Sequence, residues 1–149
     1  MAKYKFIDDL TSDVMFEAQG KTLPQLFANT AEAMFTIICK LDEIRHLEIK
    51  QVTVEAKSLE NLVVEWLQKL IGMVDTEEMF FSKFEVDSVT EIKNHVPENS
   101  IWQLKAKIYG EPVTPEKGET VVKAVTNYGF KFEKLKAGKG YKVTVSLDI

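Results

Sequence analysis

The chain has 149 residues, 45% of them hydrophobic and 28% charged, which is the size and balance of one compact domain able to bury a sizeable core. Its 19 basic residues against 23 acidic ones leave a formal charge of −4, which excludes the electrostatic footprint of a stand-alone nucleic-acid binder. No apolar run approaches the roughly 20 residues that span a bilayer. There is no signal-peptide core, and a single cysteine, Cys39, leaves no internal disulfide, so a cytoplasmic setting is expected.

Residues 3–7 and 13–19 read as strands, the second with Val14, Phe16 and Ala18 on one face and Met15 and Glu17 on the other. Gly20-Lys21 turns the chain into a helix. Thr22 and Gln25 form a capping-box pair, Pro24 sits in the first turn, and Leu23, Leu26, Phe27, Thr30, Met34, Ile37, Ile38 and Leu41 follow at helical spacing. Residues 47–56 alternate again, with Val52, Val54 and Ala56 inward. Ser58 then caps a second helix whose stripe is Leu59, Leu62, Val63, Trp66, Leu67, Leu70 and Ile71.

From residue 79 onward the period is two. Phe80, Phe84 and Val86 are expected to share a face, as are Trp102, Leu104, Ala106 and Ile108. Val122, Ala124 and Thr126 lead into Tyr128, Phe130 and Phe132 through one continuous or bulged strand. Gly138-Lys139-Gly140 marks a hairpin before Tyr141, Val143, Val145 and Leu147. The pattern predicts one α+β domain over residues 1–149, a mainly antiparallel sheet with two amphipathic helices packed on one face.

Conventional catalytic constellations are nearly absent. His46 and His95 fall in polar segments and read as surface residues, and Cys39, beside Ile37 and Ile38, as a small packing residue. Gly138-Lys139-Gly140 and Gly110-Glu111-Pro112 lack the length and following helix of a phosphate loop and read as turns, and no Cys or His cluster has zinc spacing. Carboxylates remain. Asp8, Asp9 and Asp13 bracket the join of the first two strands. Asp148 shares parity with Lys142, Thr144 and Ser146, away from the apolar face, with the α-carboxylate of Ile149 one residue on. If the last strand runs beside the first pair, Asp13, Asp148 and Ile149 converge as hard oxygen donors suited to Ca²⁺ or Mg²⁺. The bland alternative is a solvated acidic terminus.

Taken in order, the segments resemble the archease family. The resemblance is carried by Tyr4-Lys5-Phe6-Ile7, by Thr11-Ser12-Asp13, and by Val14 through Gly20. It continues through Leu26-Phe27, Ala31, Ala33, Met34 and Phe35, and then Glu65-Trp66-Leu67, Leu70 and Asp75-Thr76-Glu77. Phe80-Phe81-Ser82-Lys83-Phe84, Lys123-Ala124-Val125-Thr126 and the closing Leu147-Asp148-Ile149 complete it. This resemblance implies a metal site at Asp13, Asp148 and the main-chain oxygen of Ile149, holding a divalent ion, Ca²⁺ foremost. It implies no catalysis by the chain itself. The implied role is an accessory protein of an RtcB-type tRNA-splicing ligase, promoting guanylylation and repeated turnover, with RNA met through the ligase. Leu10, Gly118 and Tyr128 stand where many archeases carry histidine, so roles tied to those histidines do not transfer. The rival readings are a chaperone-like interaction module with no metal role and a small metal-dependent phosphoesterase.

Overall fold

The computed structural model describes residues 2–7 and 13–149. In chain order the elements are β1 (Tyr4–Ile7), β2 (Val14–Gly20), α1 (Leu23–Ile38), β3 (Glu48–Ala56), α2 (Leu59–Thr76), β4 (Met79–Ile92), β5 (Ile101–Pro112), β6 (Ala124–Lys134) and β7 (Tyr141–Asp148). The expected α+β class holds, but the strands divide into two antiparallel sheets, ordered β1-β2-β7-β6 and β3-β5-β4.

Both helices begin as their caps predict. The Thr22 hydroxyl accepts from the Gln25 N–H at 3.2 Å while the Gln25 side chain accepts from Lys21 N–H at 3.0 Å, and the Ser58 hydroxyl accepts from Asn61 N–H at 3.1 Å. Helix α1 stops at Ile38, one turn short of Leu41, which lies in a separate 3₁₀ turn. Cys39 adopts an extended conformation there and bridges to Gly118. Helix α1 lies against β2 and β4, and α2 against β3 and β6, so each helix spans both sheets and the two close one core. The Trp66 indole N–H, fully buried, donates to the Phe27 carbonyl at 3.0 Å and ties the helices together.

Two strand details differ from the expected pattern. A bulge at Ser82 shifts the β4 register, so Phe81 rather than Phe80 joins Phe84 against Phe35, with ring centroids 6.0 and 5.2 Å away. One extra residue reverses strand parity, and Phe80 lies instead beside Gly118. Gly110-Glu111-Pro112 is no turn but the last stretch of β5. Gly110 serves there because a side chain would strike the Phe80 backbone. Glu111, only 2% exposed, accepts from Arg45 N–H at 2.6 Å, Arg45 Nε at 3.1 Å and Lys117 Nζ at 2.9 Å. The Lys117 ammonium and the Arg45 backbone N–H hold its carboxyl down to about 2, against the upward push of burial.

Candidate metal centre

The order β1-β2-β7-β6 sets the last strand beside the second, as the convergence argument required. Val14 pairs with Leu147, so the next positions in the register are Asp13 and Asp148. On the other side of β7, Asp148 faces Ala124 and Ser146 faces Thr126. Leu147, Val145 and Val143 are fully buried toward the core, which turns Asp148, half-buried, to the opposite face with Asp13.

The Thr126 hydroxyl stands 3.5 Å from Asp13 Oδ2, reaching across β7 from the edge strand β6. Lys123 N–H donates to the Asp148 carbonyl at 2.7 Å and anchors the end of β7. Ile149 follows, 41% exposed. Asp8 and Asp9 lie outside the described residues, as do Leu10, Thr11 and Ser12.

The floor of this acidic tip was not foreseen in detail. Between Thr126 and Lys131 strand β6 carries four residues, 127–130, opposite a single position of β7. Gly129, at φ +63°, lets this bulge fold down onto Met15, whose methyl carbon would lie 2.8 Å from any added Cβ. The fully buried Ser146 hydroxyl donates to the Tyr128 carbonyl at 2.8 Å and fastens the bulge from beneath. The signal for this bulge was present in Gly129 amid a strand pattern.

Charge along this face is organised by position. Toward the far end, Lys5, Glu17, Lys142, Glu133 and Lys131 alternate in sign across all four strands, with N–O separations of 3.5–3.9 Å. At the tip, two aspartates occupy adjoining positions. Like charges set directly opposite on neighbouring strands are unfavourable. Among the described residues, no ion pair reaches Asp148, and no three His, Cys, Asp or Glu side chains converge at metal-ligand spacing. Among the described residues, an ion held here would meet two carboxylates, completed by main-chain, hydroxyl or solvent oxygens. All are hard oxygen donors, and their chemistry fits Ca²⁺ or Mg²⁺.

The other reactive candidates stay apart from the tip. His46 and His95 are exposed, His46 with its ring 6.1 Å from Tyr109. Cys39 is buried, its Sγ bonded to the Phe35 carbonyl at 3.3 Å, and burial pushes the thiol up to about 12. No helix among the described residues is long and apolar enough to cross a membrane.

Fold and site together define a small α+β protein with a carboxylate-bearing sheet end and, among the described residues, no conventional nucleophile–base constellation. The model of the Archease protein family matches residues 4–149, and the chain belongs to that family. It is similar to the protein archease of Methanosarcina mazei, 34% identical over 149 residues, covering 99% of this chain and 96% of that one. The archease of Sulfurisphaera tokodaii is 33% identical over 151 residues, covering 100% of each. The solution structure of Methanobacterium thermoautotrophicum protein 1598 superposes with a TM-score of 0.76 at 25% identity, covering 100% of both chains.

Proposed function

We propose that this protein is a metal-binding accessory factor that activates an RtcB-type RNA ligase in tRNA splicing and RNA repair, working in the cytoplasm and performing no catalysis alone. The observation that carries this reading is that Val14 pairs with Leu147 on the two central strands of one sheet, which brings Asp13, just before β2, and Asp148, at the end of β7, to adjoining positions. Two carboxylates so placed repel one another, and a cation between them would relieve that repulsion. Asp13, Asp148 and the main-chain oxygen of Ile149 would hold a divalent ion, Ca²⁺ foremost, which when bound supplies fixed positive charge of the kind that steadies phosphate groups. Thr126 orients the Asp13 carboxylate, the Ser146–Tyr128 contact keeps the shelf rigid, and the buried Leu147 fixes the direction of Asp148. Phosphoryl transfer depends mainly on positioning and charge neutralisation, so a subunit presenting such a tip can assist a ligase that owns the nucleophile.

The test is multiple-turnover RNA ligation by the cognate RtcB-type ligase, with and without this protein. Strong stimulation that Asp13→Ala and Asp148→Ala abolish, with unchanged thermal melts, supports the reading. Stimulation that survives both substitutions removes the metal from it. The chaperone-like alternative draws on exposed apolar side chains, Leu47 at 58% and Ile49 at 57% among them. It predicts activity that withstands chelation when the ligase's own metal is held constant.

A further inference from the structure

A largely apolar cleft, separate from the acidic tip, lies among the described residues. It encloses about 330 Å³ where the C-terminal ends of α1 and α2 meet segment 115–122. Ile71, Val74 and Phe80 form its apolar wall, while Asp75 and Glu119, both exposed, stand among its lining residues. Neither helix carries a basic residue in its last turn; the Ile37 and Ile38 carbonyls of α1 accept from Thr120 and Glu119 N–H, so it is the partial negative charge of the α2 C-terminus that adds to the two carboxylates. Val121 is 78% exposed, and neither it nor Val122 makes a backbone–backbone hydrogen bond among the described residues. Lys123 follows at once, and its N–H holds the Asp148 carbonyl.

We infer that this cleft is a docking pocket for one long basic side chain, lysine or arginine, supplied by the partner ligase. The inference rests on the accessory-factor reading and gives it a contact surface. An aliphatic stem matches the apolar wall, and a cationic head matches Asp75, Glu119 and the end of α2; only lysine and arginine join both properties in one side chain. The volume is at the lower end of the roughly 300–1,000 Å³ usual for ligand clefts, which suits one long side chain better than a cofactor. A bare metal ion would meet mostly carbon here. A second copy of this chain, itself at −4, would meet repulsion. The unpaired main chain at Val121 and Val122 offers hydrogen bonds to the segment that carries the basic residue.

The experiment is calorimetric titration of the full chain against the purified cognate ligase at two salt concentrations. Asp75→Asn with Glu119→Gln should weaken binding about tenfold and flatten its salt dependence, and Asp75→Lys with Glu119→Lys should weaken it further. Both positions are exposed, so thermal melts should not move, and terbium titration of the acidic tip should match the parent chain. A parent chain that binds and stimulates the ligase, with variants within twofold of its affinity, overturns the pocket and leaves the accessory reading intact. A parent chain that neither binds nor stimulates the ligase overturns both.

Discussion

Glu111 and the Asp13–Asp148 pair are two ways of placing carboxylates in one small protein. Glu111 is 2% exposed, yet its oxygens are taken by an ammonium, a guanidinium and a backbone N–H of the same chain. Asp13 and Asp148 are half-buried, each adjoins the Val14–Leu147 pair, and a threonine hydroxyl stands beside one of them. A carboxylate whose charge its own chain satisfies stabilises the fold, and it has little left to offer a ligand. Two carboxylates at adjoining strand ends repel one another, and they are the pair to suspect of function.

The sharpest way to break this contrast is to remove each acid in turn and read stability and metal binding side by side. Glu111→Ala leaves Lys117 and Arg45 without their shared acceptor, and hydrogen bonds to charged groups set the loss at about 2–4 kcal/mol. For a chain of this length that is a melting point lower by roughly 4–16 °C, with terbium affinity at the tip unchanged. The acid limb should carry the same signature. A carboxyl held down to about 2 contributes stability that is fully present above its unfolded value near 4.5 and lost as pH falls through 2. Glu111→Gln should remove that loss from the unfolding curve between those values, and a parent-like acid limb would show that other carboxylates govern it.

Asp148→Asn should do the reverse. Removing one of two neighbouring negative charges leaves the metal-free melting point unchanged or slightly raised, while terbium or calcium affinity falls by at least about tenfold, since loss of a direct ligand costs no less than loss of its outer support. A large fall in melting point with affinity intact would make Asp148 a second Glu111.

The contrast was only half visible in the sequence. Asp13 and Asp148 were legible because strand parity alone separates them from Val14 and Leu147, and because a last strand beside an early one is a simple antiparallel solution. The capped helices were legible for a similar reason: each signal lies within four residues of the element it starts. Glu111 was not, because its partners lie 66 residues earlier at Arg45 and six residues later at Lys117, and a glycine before it and a proline after it mimic a turn. The Ser82 bulge was equally silent, since one inserted residue in an aromatic run leaves the run aromatic. The division into two sheets depends on which strands the helices bridge, and no local pattern encodes that.

The bulge at 127–130 is the next smaller effect. Gly129→Ala must adopt φ +63° and displace the Met15 methyl. The flexible methionine end can give way, so the backbone dominates at about 1–2 kcal/mol. Thermal melts would register this as a modest loss, and an unchanged melting point would mean that the bulge re-forms with another geometry.

Thr126 probes the tip most gently. Its hydroxyl is 3.5 Å from Asp13 Oδ2, too long for a strong hydrogen bond, so the contact steers the carboxylate more than it binds it. Thr126→Val keeps the β-branched shape that the strand favours and deletes only the oxygen. Thr126→Ser keeps the oxygen and deletes only the methyl. If orientation of Asp13 is what the hydroxyl contributes, valine should weaken terbium binding severalfold, serine should stay near the parent, and both should melt within a few degrees of it. Equal losses from valine and serine would assign the position to packing of β6 against β7, and the metal donors would then depend on strand pairing alone for their aim.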